Sequence, residues 1–221
     1  MPHFFAARDG ARVEIRGADA RHLARALRAR PGERISVVEP EGRLLGVRLV
    51  EVDPALVVGL VEEEREHHPE PEREIVLAVA LLPAAALDLV LSRGTEVGAS
   101  GFVLVAAERS VSRGARPERW AAICREATML AGRLRVPQVR GPVLFEEAWA
   151  AAVNPLLLDR SGPALTRLDT PATLFVGPEG GWSPEELKRA GERVASLGPR
   201  NLRAETAALV GLTLALGAQC P

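Results

Sequence analysis

Residues 173–189 read TLFVGPEGGWSPEELKR, and this stretch determines the predicted fold class. Its first four residues are apolar or β-branched, which is typical of a buried strand. The glycines of residues 177–181 permit a tight turn and let backbone come close to a ligand. Ser183 is a preferred N-cap, Pro184 suits the first helical position, and Glu186 can complete a capping box. A strand, a glycine-rich turn and a capped helix predict a ligand-binding corner at the carboxyl edge of a sheet.

The chemistry of this turn restricts the ligand. A phosphate site needs bare N–H groups and positive charge, and the carboxylate of Glu179 would repel a pyrophosphate. The sequence also has no G-x-G-x-x-G and no Walker lysine. The turn therefore suits a neutral or cationic ligand, unless its glycines serve only the turn and Glu179 only braces it.

The composition bounds the class of protein. The chain has 221 residues, 47% of them hydrophobic, and no apolar run approaches the roughly 20 residues of a membrane span. Residues 1–3 are not followed by the pattern of a signal peptide. Cys124 and Cys220 are too few for a disulfide framework or a zinc site. We therefore expect a cytoplasmic protein with no metal and no membrane partner.

Arginine is unevenly distributed along a chain whose net charge is only −1. Eight arginines lie between Arg109 and Arg140 against two acidic residues, and eight more lie between Arg8 and Arg34 against four. Two basic zones on a nearly neutral protein indicate a nucleic-acid footprint. The alternative is a solvated surface in an arginine-rich, heat-adapted proteome.

The pattern of elements predicts two domains, 1–70 and 71–221. The first is β-rich, with strands near 13–15, 34–38, 44–52 and 56–61 and one helix that begins near Asp19. Residues 62–73 are charged and hold two prolines, so they are predicted to be a linker.

The second domain alternates strands and helices, which predicts an α/β fold with a parallel sheet covered on both faces. The predicted strands lie near 75–80, 102–106, 156–158, 173–176 and 194–197. The predicted helices lie near 85–97, 117–131, 145–151, 184–194 and 205–218.

Three blocks of the second domain resemble one family. They are SRGTEVG (92–98) with ERSV (108–111), GRLRVP (132–137), and the 177–181 loop with LGPRNLRAETA (197–207). Together they resemble the RsmE-type methyltransferases of the SPOUT class, which methylate N3 of a uridine in bacterial small-subunit rRNA. Residues 22–23, 27–28 and 31–35 are similar to the PUA-like RNA-binding domain of that family.

The resemblance implies a SPOUT-like parallel sheet with a C-terminal trefoil knot, preceded by a small PUA-like domain. It also implies a homodimer, S-adenosyl-L-methionine as cofactor, and small-subunit rRNA or a subunit particle as partner. By the same resemblance, the cofactor would contact residues of three loops: Leu157, Leu158, Val176, Gly177, Glu179, Gly180, Gly181, Leu197, Gly198, Asn201, Leu202, Arg203, Ala204 and Thr206. The chain departs from the family pattern at residues 84–89 and 129–130 and at Asn201.

The proposed chemistry needs a group that removes the N3 proton of uracil or stabilises the anion that forms. The four histidines lie in the first domain or the linker, and the chain has no tyrosine. The second domain therefore offers Glu205, Glu179, Glu126 and arginines such as Arg203, and Arg203 and Glu205 are the catalytic candidates. Alternatively, Glu205 complements a helix dipole and Arg203 makes a surface ion pair.

Six arginines are the candidate RNA contacts, because a guanidinium matches phosphate oxygens. They are Arg8, Arg25, Arg28, Arg109, Arg133 and Arg135. Two other functions remain open: a SPOUT methyltransferase for tRNA or another rRNA base, and a non-catalytic RNA-binding assembly factor.

Overall fold

The computed structural model describes residues 2–110 and 114–217. The chain divides into two compact units, Met1–Glu70 with Thr128–Arg135 and Pro71–Ala127 with Val136–Pro221. The predicted division at residue 70 assigned residues 128–135 to the second domain, whereas in the structure they group with the first unit. Val111 of the first family block and Cys220 lie outside the described residues.

The first unit is built on a six-stranded sheet. Its strands are β1 (His3–Phe5), β2 (Arg8–Asp9), β3 (Arg12–Arg16), β4 (Arg34–Val38), β5 (Leu44–Val52) and β6 (Leu56–Arg65), in the order β1-β4-β5-β6-β3-β2. β1 pairs with β4 in parallel and the other pairs are antiparallel. A short helix α1 (Gly17–Arg21) continues into a π-helical turn (His22–Ala26). Phe4, Leu23 and Leu45 are fully buried in the core of this unit.

β6 corrects the predicted linker, because the strand continues to Arg65. Glu63 lies opposite Gly46, and Glu64 lies opposite Leu45, in the pairing with β5. Charged residues can extend a strand where a partner strand takes up their backbone hydrogen bonds and their side chains stay exposed. The prediction counted only the apolar alternation, which stops at Val61.

The second unit is built on a six-stranded sheet whose pairs are parallel throughout. Its strands are β7 (Ile75–Ala80), β8 (Gly101–Ala106), β9 (Gln138–Leu144), β10 (Pro155–Leu158), β11 (Ala172–Val176) and β12 (Val194–Ala195), in the order β12-β10-β11-β7-β8-β9. The helices that follow these strands are α2 (Ala84–Val97), α3 (Pro117–Ala131), α4 (Phe145–Ala151), α5 (Pro184–Ala190) and α6 (Ala204–Leu216). The predicted α/β fold with a parallel sheet is confirmed.

Both faces of this sheet are buried, which explains the continuous apolar runs of its central strands. Leu77 and Leu174 belong to a core that also contains buried residues of α2, α3 and α6. Ala78 and Phe175, the next residues along the two strands, belong to a second core with buried residues of α4 and α5. The alternation of side chains along a strand thus divides each run between two cores.

β9 was not predicted, and α5 is shorter than predicted. β9 is an edge strand that contains Pro142, and most of its side chains are partly or fully exposed, so it lacks a clear apolar pattern. α5 ends at Ala190 because Gly191, with a φ of 59°, is its C-cap. The prediction had extended this helix to residue 194, where β12 begins.

The sheet order brings three strand ends together. β10 is hydrogen-bonded to β11 on one side and to β12 on the other, and Leu157 is in register with both Phe175 and Val194. Because all three strands are parallel, the loops that follow them leave the sheet at the same edge.

Candidate active site

The glycine-rich turn between β11 and α5 is closed by backbone and capping hydrogen bonds. Gly181 has a φ of 70°, and its N–H donates to the carbonyl of Pro178 over 2.8 Å. The hydroxyl of Ser183 accepts from the N–H of Glu186 at 3.3 Å, and the carboxylate of Glu186 accepts from the N–H of Ser183 at 2.8 Å. The predicted capping box is therefore confirmed, and it fixes the start of α5 beside the turn.

Trp182 connects this turn to the neighbouring strand. Its ring is buried and lies 5.4 Å from that of Phe145, between ring centroids. Its Nε1–H donates to the carbonyl of Leu158, the last residue of β10, over 3.2 Å. Gly177 passes so close that an added Cβ would lie 3.1 Å from the indole ring. The ring therefore packs in the core, and it also borders the cleft described next.

A cleft of about 320 Å³ opens where the loops after β10, β11 and β12 meet. Eleven of the fourteen residues predicted to bind the cofactor line it: Leu158, Val176, Gly177, Glu179, Gly180, Gly181, Leu197, Gly198, Asn201, Leu202 and Ala204. Leu157 instead points into the core, and Arg203 and Thr206 are exposed without lining the cleft. Three segments that are distant in sequence thus form one wall.

Six residues outside those fourteen also line the cleft. These are Asp159, Arg160, Pro178, Trp182, Arg200 and Ala207. Asp159 and Arg160 directly follow the carboxyl end of β10. Because ligands bind at the carboxyl ends of parallel strands, this position could have predicted both as site residues. The others lie within or beside blocks already singled out, where only the folded loops decide which side chains face the cleft.

Glycines leave part of the cleft wall as bare backbone. An added Cβ at Gly181 or Gly198 would meet no atom within 4 Å, and both residues have a positive φ. A Cβ at Gly180 would lie 3.4 Å from the Cβ of Arg109. Such a wall lets a ligand approach the chain closely and hydrogen-bond to peptide groups rather than to side chains.

Charges of both signs surround the cleft. The carboxylate of Glu179 is exposed at the turn, and Arg160 and Arg200 are exposed on the adjoining loops. Asp159 is held in place because its Oδ1 accepts from the N–H of Ser161 at 2.9 Å and from its hydroxyl at 2.7 Å. The site can therefore hold a ligand that carries positive and negative groups together.

The two catalytic candidates lie at the start of α6. Arg203 is the N-cap residue, makes no capping hydrogen bond with its side chain, and is exposed. Glu205 is half-buried in the first turn, where the helix dipole favours a carboxylate. Neither lines the cleft, although the neighbouring Leu202 and Ala204 do.

The structure separates the six predicted RNA contacts into different environments. Arg25, Arg28 and Arg135 are exposed. Arg109 is exposed in the second unit, and its Nη1 donates to the carbonyl of Gly180 over 3.1 Å.

Two of the six arginines are engaged by carboxylates. Arg8 lies 3.0 Å from the buried Glu39 and 2.7 Å from Glu64. Arg133 is buried and forms an ion pair with Glu70, whose other oxygen accepts from the N–H of Leu134 at 2.9 Å. The guanidinium of Arg133 is therefore enclosed within the first unit, where a carboxylate neutralises its charge.

Two classes of feature are not found among residues 2–110 and 114–217. No group of three or more His, Cys, Asp or Glu side chains there could hold a metal ion. Within the same ranges, no helix combines the length and apolar character needed to cross a membrane.

Residues 68–216 match the family described as RNA methyltransferase domain. The match covers most of the second unit, including the glycine-rich turn and every loop that lines the cleft. The chain belongs to the RNA methyltransferase domain family. This membership confirms the family and the enzyme class that the three sequence blocks indicated.

Named relatives of this RNA methyltransferase-domain protein are similar over nearly its whole length. A ribosomal RNA small subunit methyltransferase E from Mycobacterium bovis is 34% identical, over 92% of this chain and 85% of the relative. One from Synechocystis is 30% identical, over 91% of this chain and 72% of the relative. These matches include the first unit as well as the methyltransferase domain.

A solved structure extends the similarity to the fold. A ribosomal RNA small subunit methyltransferase E from Neisseria gonorrhoeae, bound to S-adenosyl methionine, has a TM-score of 0.88 to this RNA methyltransferase-domain protein. It is 29% identical and covers 96% of this chain and 95% of its own. The mixed α/β architecture is therefore that of the E-type methyltransferases.

Proposed function

We propose that the protein transfers a methyl group from S-adenosylmethionine to N3 of a uridine in small-subunit ribosomal RNA. The observation that carries this proposal is the convergence of three predicted loops on one cleft at the carboxyl edge of a parallel sheet. The names of the relatives support an rRNA substrate, and the ligand of the Neisseria structure supports the cofactor. The uridine N3 target rests on the resemblance of the sequence blocks.

The cleft fits S-adenosylmethionine by size, wall and charge. Its volume of about 320 Å³ lies in the range of small-molecule sites. Gly181 and Gly198 leave room beside the backbone, which is where an adenosyl group could hydrogen-bond to peptide groups. The carboxylates of Glu179 and Asp159 suit the positive groups of the ligand, and Arg160 suits its carboxylate.

When bound, the cofactor would supply a methyl group on a positive sulfur, and the protein would supply the geometry. The fixed turn, held by the capping box and by Trp182, would orient that group in line with the attacking nitrogen. The exposed guanidinium of Arg203 at the head of α6 would hold a uracil oxygen and stabilise its developing negative charge. Glu205 would accept the N3 proton directly or through water.

The finer features of the family complete the proposal. We infer that the C-terminal strands β10 to β12 and helix α6 form a trefoil knot, and that the first unit is a PUA-like RNA-binding domain. We also infer a cytoplasmic homodimer that acts on rRNA or on a subunit particle. The similarity to the E-type structure over 96% of the chain supports the shared fold, and the knot, the PUA-like domain and the homodimer rest on the resemblance of the sequence blocks. Light scattering of the purified protein would test the dimer, because a mass near twice 23.6 kDa is expected.

Calorimetric titration with S-adenosylmethionine tests the cofactor assignment. Wild-type protein is expected to bind, Gly180→Asp to lose binding, and Gly180→Ala to lose about threefold or less. The alanine adds only a Cβ near the aliphatic part of Arg109, whereas the aspartate adds a charge to a narrow site. No binding by wild-type protein, with or without RNA, would overturn the enzyme proposal and favour a non-catalytic RNA-binding assembly factor.

An assay of methyl transfer identifies the RNA substrate. Purified protein and labelled cofactor would be incubated with small-subunit rRNA, with subunit particles and with tRNA, and the product nucleoside would be identified by mass spectrometry. The proposal predicts 3-methyluridine in small-subunit rRNA or its particle. Label in tRNA, or in another rRNA base, would replace that substrate with the second sequence alternative.

A further inference from the structure

Glu186 does more than cap a helix, because both of its carboxylate oxygens accept backbone hydrogen bonds. One oxygen, Oε2, accepts from the N–H of Ser183 at 2.8 Å and completes the capping box. The other, Oε1, accepts from the N–H of Glu108 at 3.0 Å. Glu108 lies 78 residues away, just after β8. The side chain is buried, so its charge is satisfied by these backbone groups rather than by water.

A second hydrogen bond joins the same two segments in the opposite direction. The residue after Glu108 is Arg109, whose Nη1 donates to the carbonyl of Gly180 over 3.1 Å. The aliphatic part of Arg109 also lies against Gly180, where an added Cβ would be 3.4 Å from the Cβ of the arginine. The turn at residues 107–110 is therefore tied to the glycine-rich turn at one point and to the start of α5 at another.

The turn at 107–110 is itself well defined. The N–H of Ser110 donates to the carbonyl of Ala107 over 3.0 Å, and Ala107 is buried in the core formed with α4 and α5. A helix cap alone needs only one acceptor oxygen on Glu186. The second oxygen has a different consequence, because it fixes the position of the cleft wall relative to the end of β8.

We infer that Glu186 is a positioning residue for cofactor binding, and that Arg109 is the second tie between the same segments. This inference rests on the proposed function, since it assigns a role to the wall of the proposed cofactor cleft. Glu186 does not line the cleft. It acts through Ser183 and Glu108, whose backbone N–H groups it joins, whereas Arg109 holds Gly180.

An isosteric substitution separates positioning from capping. In Glu186→Gln, the amide nitrogen cannot accept a hydrogen bond, so one of the two backbone N–H groups loses its acceptor and faces a donor. Ser183→Ala is the matched control, because it removes the hydroxyl of the same cap but leaves both oxygens of Glu186 in place. Both variants are expected to lower the thermal unfolding midpoint.

The readout is the Kd for S-adenosylmethionine, measured by calorimetry, and the KM for it in methyl transfer. Glu186→Gln is expected to raise both about tenfold, with a smaller change in kcat, whereas Ser183→Ala changes Kd less than about twofold. Arg109→Met, which keeps the aliphatic contact but removes the donor, is expected to raise Kd about threefold. Because Arg109 is exposed, this variant also tests the positioning of the cleft wall if Glu186→Gln fails to fold.

The outcomes distinguish this inference from the proposed function. If wild-type protein binds the cofactor and Glu186→Gln raises Kd no more than Ser183→Ala does, Glu186 is only a helix cap and the inference is overturned. If the Kd of Arg109→Met equals that of wild type, Arg109 has no positioning role and that part of the inference is overturned. If wild-type protein does not bind the cofactor at all, the proposed function and this inference both fall.

Discussion

The cleft of the second unit and the sheet of the first unit use charged residues in different ways. Around the cleft, glycines and backbone form the wall, and charges of both signs stand exposed at its rim. On the first sheet, arginines are paired with carboxylates: Glu62 accepts from Arg34 at 2.7 Å and from Arg48 at 2.6 Å. An arginine-rich sequence therefore marks two different surfaces, and only the partners of each arginine distinguish them.

The pairing on the first sheet has an electrostatic consequence. The hydrogen bond from Arg34 holds the pKa of the Glu62 carboxyl below its usual value, and Arg48 adds to the effect. Glu39 is buried between Arg8 at 3.0 Å and Arg43 at 2.9 Å. These arginines stabilise carboxylates of the sheet, so a count of basic residues overstates the surface left for RNA.

The largest expected effect comes from one buried phenylalanine in each unit. Phe175 and Phe4 are both fully buried, Phe175 in the strand that leads into the cleft and Phe4 in the first sheet. Each substitution by alanine is expected to cost about 3–5 kcal/mol of the free energy of unfolding of its own unit. Only Phe175→Ala should also weaken binding of S-adenosylmethionine, by about tenfold or more.

Tryptophan fluorescence reports unfolding of the second unit alone, because Trp120, Trp149 and Trp182 all belong to it. It therefore distinguishes loss of stability in one unit from loss in the other. Urea unfolding of Phe4→Ala should shift the circular dichroism transition while the fluorescence transition stays near that of wild type. A Phe4→Ala variant that loses cofactor binding as severely as Phe175→Ala would show that the two units do not act independently.

The buried pair of Arg133 and Glu70 provides the next largest effect. Glu70→Ala removes the partner of a buried guanidinium and the acceptor of two N–H groups, and is expected to cost about 3–5 kcal/mol, measured by circular dichroism in urea.

Replacing both residues by methionine is expected to recover much of this loss, because the buried guanidinium and the carboxylate are then removed together. The double variant should bind small-subunit rRNA with the affinity of wild type. If the double variant is as stable as wild type but binds RNA about tenfold more weakly, Arg133 is an RNA contact after all.

Substitution of exposed arginines should change the salt dependence of RNA binding, whereas substitution of arginines paired with carboxylates should not. Arg25→Gln and Arg28→Gln are each expected to reduce the slope of log affinity against log salt by roughly 1, because each removes one phosphate contact. Arg34→Gln is the control. Because Arg34 is paired with Glu62, its substitution should leave the slope unchanged. Fluorescence anisotropy at several salt concentrations measures this, and equal slopes in all three variants would remove Arg25 and Arg28 from the interface.

The smallest expected effect is a pH dependence in the first unit. Burial lowers the pKa of His3, and the neighbouring ring of His67, 5.5 Å away between centroids, adds to the shift. The unfolded chain therefore takes up a proton near pH 6.5 that the folded chain resists, so stability falls as pH decreases below about 6.5 and is complete above it.

Urea unfolding of wild type and His3→Phe between about pH 7.5 and about pH 5.5 checks this sign. His3→Phe should flatten the pH dependence that wild type shows. A wild-type protein that gains stability on acidification would contradict the assignment.

The comparison also shows how far the sequence could predict the fold and the site. The start of α5 was predicted to the residue because Ser183, Pro184 and Glu186 are local signals that act within one turn of helix. β9 was missed because an edge strand with a proline has no apolar pattern to detect. The extension of β6 was missed because its charged residues are held by pairing with β5, which lies elsewhere in the sequence.

Sequence patterns and the family resemblance were enough to predict the family, the parallel sheet of the second unit and eleven of the residues that line the cleft. The sheet follows from the alternation of predicted strands and helices, and the family and the cleft residues follow from the three sequence blocks. Three features are visible only in the folded chain: Arg133 is buried and paired with Glu70, Asp159 and Arg160 reach the cleft, and Glu186 joins the turn after β8 to α5. The physical reason is that an ion pair or a shared hydrogen bond depends on distance in space, and the partners are separated by 63 and 78 residues along the chain.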